Sequence, residues 1–70
     1  MSGSNTDAMI SRLDKEIEER AAFIEGLTGG AQDRGTDLTD NEKELAASAR
    51  KRIEVLDEQL VELRASSERM

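Results

Sequence analysis

The second half of the chain carries an apolar pattern with heptad spacing. Apolar residues recur at alternating steps of three and four, at Ala46, Ala49, Ile53, Leu56, Leu60 and Leu63. Such a row of a and d positions, the seam, is typical of a helix that packs along another helix. Thr39 followed three residues later by Glu42 forms a capping box, which pairs two amide donors at a helix start. We therefore predict a helix over residues 39–70.

A shorter first helix is predicted over residues 6–27, so the second helix should overhang it. Its a and d positions hold Ile10, Leu13, Ile17, Ile24 and Leu27, with Arg20 at one d position. Arg20 is expected to lay its aliphatic stem on the seam and keep its charged head in water.

The ends of this first helix follow from capping residues. Asn5 or Thr6 can cap its start, which leaves residues 1–5 as a flexible lead. Gly29 and Gly30 are expected to end it, because Gly just past a helix adopts the left-handed conformation at little cost. Residues 28–38 are then predicted to form a polar, Gly-containing loop.

One antiparallel register brings both helices together. The facing pairs are Phe23 with Leu45, Glu16 with Arg52, and Met9 with Gln59. In all three pairs the residue numbers add to the same total, and all six residues occupy g positions. In the seam, Ile17 meets the Ile53 layer, Leu13 the Leu56 layer, and Ile10 the Leu60 layer. Bulky Phe23 and Ile24 face small Ala46 and Ala49, the alternation by which layers interdigitate. The predicted fold class is all-α, an antiparallel helical hairpin forming a two-helix coiled coil.

Size and surplus apolar surface predict self-association into a larger helical bundle. A chain of 70 residues without Cys has no disulfide to support its small core, and such chains often oligomerise. Leu45, Val55 and Val61 lie off the strict seam, and Phe23 and Met9 widen the apolar stripe of the first helix. The alternative for Val55 and Val61 is that they are single exposed apolar residues, which are common. The residues expected in the core or interface are Ile10, Leu13, Ile17, Phe23, Ile24, Leu27, Leu45, Ala49, Ile53, Leu56, Leu60 and Leu63.

Composition argues against most other functions. The chain has no His and no Cys, and so lacks the commonest general base and metal ligands. Its Ser and Thr residues have no His to activate them as nucleophiles. The net charge of −6 disfavours nucleic-acid binding, and no apolar run approaches the roughly 20 residues of a membrane span. We predict a non-enzymatic protein with no cofactor, metal, nucleic-acid, membrane or small-molecule partner.

Three local clusters of polar residues are better explained as ordinary surface than as binding sites. The Gly-rich stretch 28–36 lacks the Gly-Lys-Ser/Thr of a phosphate-binding loop, and no strand precedes it. The aspartates of residues 33–40 do not follow the order of a calcium-binding EF-hand loop. The basic triplet at residues 50–52 points around a helix, with acidic residues nearby to offset it.

The stretch Arg34-Gly-Thr-Asp-Leu-Thr-Asp-Asn-Glu, leading into Ile53-Glu-Val-Leu-Asp-Glu-Gln-Leu, resembles a known family. It is similar to the N-terminal scaffolding segment, or delta domain, of HK97-fold phage major capsid proteins. Such segments have a charged helix, a loop, a Gly-x-x-Leu-Thr-x-x-Glu helix start and an Ile-x-x-Leu-x-x-x-Ile/Leu seam. The matching positions are Gly35, Leu38, Thr39, Glu42, Ile53, Leu56 and Leu60, and the resemblance spans residues 10–64.

This resemblance implies a segment that holds capsid subunits together during procapsid assembly and is then removed by a maturation protease. It places the chain in the cytoplasm of a bacterial host, inside the procapsid. Because the β-rich shell domain of the family is missing, the chain would be an excised segment. Two alternatives remain: a small coiled-coil adaptor for a different protein, and an antitoxin-like regulatory module. Both should need a heteropartner for folding, whereas scaffolding implies self-association.

Overall fold

Two long helices packed against each other make up the fold. The computed structural model describes the backbone of residues 2–68 and the side chains of residues 5–66. Helix α1 spans Ser2–Arg34, helix α2 spans Asp40–Glu68, and residues 35–39 connect them. Together they form a rod with dimensions of 51 × 16 × 14 Å. The predicted all-α helical hairpin is confirmed.

Helix α1 is longer than predicted at both ends. It begins at Ser2, so residues 2–5, expected to be a flexible lead, are helical; Met1 lies outside the described residues. It ends at Arg34 and runs through Gly29 and Gly30, so the predicted end at Leu27 is wrong. The connection therefore shrinks from residues 28–38 to residues 35–39, and the expected overhang of the second helix is also wrong, since α1 has 33 residues and α2 has 29.

Burial of one alanine explains why α1 continues past its glycines. Ala31 lies four residues after Leu27, at the next a position, and is only 5% exposed. Extending the seam to Ala31 adds apolar burial and further helical hydrogen bonds, which offset the cost of about 1 kcal/mol per Gly in a helix interior. Thr28 also stays helical, with its Oγ1 donating to the Ile24 carbonyl at 3.1 Å.

The glycine that ends α1 is Gly35, with a φ of 69°. Its N–H donates to the Gln32 carbonyl at 3.0 Å, and the Thr36 N–H donates to the Ala31 carbonyl at 3.0 Å. This pair of bonds is a Schellman motif, which satisfies two carbonyls at the helix end and requires a left-handed residue between helix and loop.

Ala substitutions at two glycines are expected to have opposite effects. At Gly29 an added Cβ meets nothing within 4 Å, and Gly29→Ala should raise the free energy of unfolding by about 0.5–1 kcal/mol through helix propensity. Gly35→Ala should lower it by about 1–2 kcal/mol, because an L side chain is strained at positive φ. Urea unfolding followed by circular dichroism measures both. Equal shifts of the same sign would contradict this assignment of the helix end.

Helix α2 begins with the predicted capping box. The Glu42 N–H donates to Thr39 Oγ1 at 3.1 Å, and the Thr39 N–H donates to Glu42 Oε1 at 2.9 Å. Arg34 Nη2 donates to the same Glu42 oxygen at 3.0 Å, which ties the end of α1 to the start of α2. The Thr39 amide, with the Arg34 charge, holds the pKa of the Glu42 carboxyl below its usual value. The predicted helix start is confirmed, whereas residues 69–70 lie outside the described part of the chain.

Loss of the cap should have a measurable cost. Thr39→Ala is expected to lower the free energy of unfolding by about 1 kcal/mol, because the Glu42 amide loses its acceptor. Thr36→Ala makes the same change in the exposed connection and should leave stability within about 0.5 kcal/mol of the parent. Thermal melts of the two variants, run at one protein concentration, provide the comparison. Identical melting temperatures would show that the capping box contributes little.

The core is narrow. Five of the residues whose side chains are described are buried, namely Ala31, Ala46, Ala49, Leu56 and Leu60. The other predicted seam residues are half-buried, namely Ile10, Leu13, Ile17, Ile24, Leu27, Ile53 and Leu63. Phe23 and Leu45, predicted for the core or interface, are 45% and 44% exposed and therefore lie outside the hairpin core. Leu56 is the one large side chain that the hairpin encloses fully among the described residues.

Candidate assembly surface

Two ion pairs define the two flanks of the hairpin. Glu16 and Arg52, both at g positions, join the helices with 3.0 Å between Glu16 Oε2 and Arg52 Nε. Asp14 and Arg64, both at e positions, lie on the opposite flank, with 3.5 Å between Oδ1 and Nη2. The predicted contact between Glu16 and Arg52 is confirmed, and both pairs require the antiparallel arrangement.

Glu16 binds two guanidinium groups. Its Oε2 accepts from Arg52 across the hairpin and from Arg20, four residues along α1, at 3.1 Å. The bonds from Arg52 and then Arg20 lower the pKa of the Glu16 carboxyl below its usual value of 4.5. Arg20 therefore leaves its seam position toward the flank, and its side chain is 43% exposed, as expected for a charged head in water.

The contribution of the Glu16 carboxylate to the stability of the hairpin should depend on pH. Because its pKa is lower in the folded state, ionised Glu16 stabilises the hairpin above about pH 4.5, and this stabilisation is lost as pH falls through the lowered pKa. Glu16→Gln should therefore be less stable than the parent at pH 7 and match it more closely in acid. Urea unfolding at stepped pH measures the difference, with Glu18→Gln as the control for loss of one exposed charge. A parent–variant difference that does not shrink in acid would contradict the link.

Most of the exposed apolar bulk shares one flank. In residues 5–66, the large apolar side chains that are exposed are Met9, Phe23, Leu45, Val55 and Val61. Met9, Phe23 and Leu45 occupy g positions, and Val55 occupies the neighbouring c position, so all four lie on the side of the Glu16–Arg52 pair. We call this side the apolar flank. Val61, at a b position, lies on the opposite flank.

A groove opens on the apolar flank at the end away from the turn. The open groove has a volume of about 560 Å³. Met9, Leu13 and Leu63 supply its apolar lining, with Arg12 and Gln59 among the polar residues around it. Met9 and Gln59, predicted to face each other, therefore border the same groove. Gln59 and the small Ser66 occupy the g positions of α2 along this groove.

The two flanks differ in charge. Between residues 9 and 26 of α1 and residues 45 and 66 of α2, the d, g and c positions carry equal numbers of each sign, namely Arg12, Arg20 and Arg52 against Glu16, Glu19 and Glu62. The e and b positions of the same span carry an acidic excess, namely Asp14, Glu18, Glu25, Glu54 and Asp57 against Arg50 and Arg64. The apolar flank is therefore neutral on a chain of net charge −6, so it can meet a like-charged chain with little repulsion.

Within the described residues the structure supplies no metal site and no membrane span. No group of three or more His, Cys, Asp or Glu side chains there could hold a metal ion. No helix in that part of the chain is long and apolar enough to cross a membrane. Among the aspartates of residues 33–40, Asp37 accepts from the Leu38 N–H at 2.8 Å, next to the helix start.

Comparisons with known proteins leave the apolar flank as the main clue to function. No protein-family model, no curated protein and no solved structure matches this chain. Sequence reasoning missed two features of this surface and of the core. It assigned Ala31 to the loop, and it did not place the surplus apolar residues together on one flank. The heptad positions carried both signals, since Ala31 follows Leu27 by four residues and three of the exposed residues share the letter g.

Proposed function

We propose that this chain is a non-enzymatic assembly domain that acts through self-association of helical hairpins. The observation that carries the proposal is the apolar flank, where Met9, Phe23, Leu45 and Val55 are each 39–45% exposed on one side of the rod. Grouped exposed apolar residues commonly mark interaction sites, whereas scattered ones do not. A second helical surface laid on this flank would cover all four.

The surface area of the hairpin supports the same proposal. The chain exposes 5347 Å², about 1,000 Å² more than the ~4,300 Å² expected for a compact monomer of 7.7 kDa. Between residues 5 and 66, Leu56 is the single large side chain that the core encloses fully. A small helical domain with so thin a core gains the stability it lacks by burying more apolar surface in an oligomer.

Within this class, the sequence pattern supports a scaffolding role in phage capsid assembly. The pattern that resembles delta domains includes the helix start at Gly35, Thr39 and Glu42, which folds as a Schellman turn followed by a capping box. Scaffolding requires contacts that are cooperative and yet reversible. A seam containing Arg20 and the small Ala46 is suitable, because polar or small seam residues lower stability while helping to fix register.

The test has two arms. Sedimentation equilibrium of residues 1–70 from micromolar to millimolar concentration should show a reversible increase in molar mass. A capsid protein that carries this segment should form closed shells, and deletion of residues 1–70 should impair that step. A strict monomer at all concentrations would contradict the assembly domain. Self-association together with normal shell formation after deletion would contradict the capsid role alone, and a heteropartner required for folding would favour an adaptor.

A further inference from the structure

We propose that the apolar flank is a two-fold interface with a second copy of this chain, in which the two α1 helices lie antiparallel. In this arrangement Phe23 of each copy enters the groove beside Met9 of the other. The inference rests on the proposed self-association and adds to it the surface, the partner and the orientation. The product is a four-helix bundle made of two hairpins.

The spacing of residues along α1 is the first support. Met9, Glu16 and Phe23 are separated by seven residues each, or about 10.5 Å along the helix. A two-fold axis that crosses α1 at the level of Glu16 therefore places Phe23 of one copy at the level of the partner's Met9. By symmetry the same contact forms twice, as a self-complementary interface requires.

Shape is the second support. One end of the flank carries a projecting ring, Phe23, which is 45% exposed. The other end carries the groove of about 560 Å³, lined by Met9, Leu13 and Leu63. An antiparallel pair fills both grooves with aromatic rings. A parallel pair would place one groove over the other and leave an unfilled apolar space, which forfeits packing contacts.

The charges at the c positions favour the same orientation. Arg12 and Glu19 occupy c positions on either side of Glu16, and neither forms an ion pair with another described residue. In the antiparallel arrangement Arg12 lies opposite the partner's Glu19 to within one residue, about 1.5 Å along the axis, and the contact forms twice. A parallel pair would instead lay α1 on the partner's α2, and Arg12 would then lie at the level of the partner's Val55.

The available area suits a dimer. The rod is 51 Å long and 16 Å wide, so one face spans about 800 Å², which is the area that each partner buries in a standard stable interface. The neutral charge of this flank adds to the fit, since the opposite flank would bring two acidic surfaces together. A second copy therefore matches the flank in size, shape and charge.

The first experiment locates the interface. Phe23→Asp should raise the dimer dissociation constant by roughly 100-fold or more, because it replaces an apolar ring with a charge beside the partner's Met9 at both ends of the interface. Val61→Asp makes a matched change on the opposite flank and should alter the constant by less than about threefold. Met9→Ser, in the groove lining, gives a second route to the same loss. Sedimentation equilibrium gives the constants, and circular dichroism of diluted samples verifies that each variant remains helical.

The second experiment determines the orientation. Arg12→Glu and Glu19→Arg should each weaken the dimer by about tenfold at low salt, because like charges then face each other twice. The double variant should return to within about threefold of the parent. Arg12 and Glu19 are seven residues apart on one helix, too far for a direct contact within one chain. Rescue therefore reports contact between copies.

The outcomes separate this inference from the proposed function. A parent chain that stays monomeric would contradict self-association itself. Association that is unchanged in both Phe23→Asp and Met9→Ser would overturn this interface and leave self-association standing. Weakened association in those variants without rescue by the double charge exchange would overturn the antiparallel orientation.

Discussion

Leu56→Ala is expected to lower the free energy of unfolding by about 2–5 kcal/mol, the range for truncating a buried leucine. Leu56 is 0% exposed, so the substitution leaves a cavity between the helices as well as removing apolar burial. A chain of 70 residues has a total stability of roughly 4–10 kcal/mol by the usual per-residue range. The variant should therefore lose about half of its stability, and its unfolding should shift to a clearly lower urea concentration.

Urea unfolding at fixed protein concentration measures this loss. Val61→Ala truncates an aliphatic side chain that is 67% exposed, and it should change stability by less than about 0.5 kcal/mol. If Leu56→Ala and Val61→Ala unfold together with the parent, the assignment of the seam in α2 is wrong.

Ala46→Leu should also be strongly destabilising, by about 1–3 kcal/mol, although it adds apolar volume. Ala46 is 1% exposed, near the turn where the connection holds the helices together, so three extra carbon atoms cannot enter without displacing a neighbour. The neighbouring Ala47 is exposed. Ala47→Leu should therefore leave stability nearly unchanged.

Thermal unfolding of these two leucine variants provides the comparison. Both variants replace Ala with Leu at adjacent positions of α2, so helix propensity changes by the same amount in each. The difference between their melting temperatures therefore reports packing alone. A higher melting temperature for Ala46→Leu than for Ala47→Leu would show that the helices can separate near the turn without cost.

The second helix and the register could be predicted because both follow from the spacing of residue types along the sequence. The capping box of Thr39 and Glu42 involves residues three apart, and it forms as the pattern requires. The contact between Glu16 and Arg52 follows from the heptad once the fold is a hairpin. Both depend on spacing, and spacing is visible in a sequence.

The end of α1 could not be predicted because two effects of similar size compete there. Each Gly disfavours the helix interior by about 1 kcal/mol, which favoured an end at Gly29. Burial of Ala31 and the Schellman bonds at Gly35 favour continuation by one more seam position. Propensity alone does not include the second effect, because it depends on the opposing helix.

The exposure of Phe23 and Leu45 also could not be predicted from the pattern of apolar residues. Both occupy g positions, which border the seam and are covered only when a further helix packs beside it. A hairpin supplies one neighbour per helix, so these side chains remain half-exposed. The pattern identified them as apolar, whereas the structure shows that the covering surface is missing from a single hairpin.

The hairpin topology also determines where connected polypeptide would lie. Helix α1 begins and α2 ends at the same end of a rod 51 Å long, and the Gly35 turn lies at the other. Any polypeptide continuous with either helix is thereby held a full rod length from the turn. Two such rods lying antiparallel would keep their attached bodies at opposite ends, so the same contact that joins two chains would also set the distance between them.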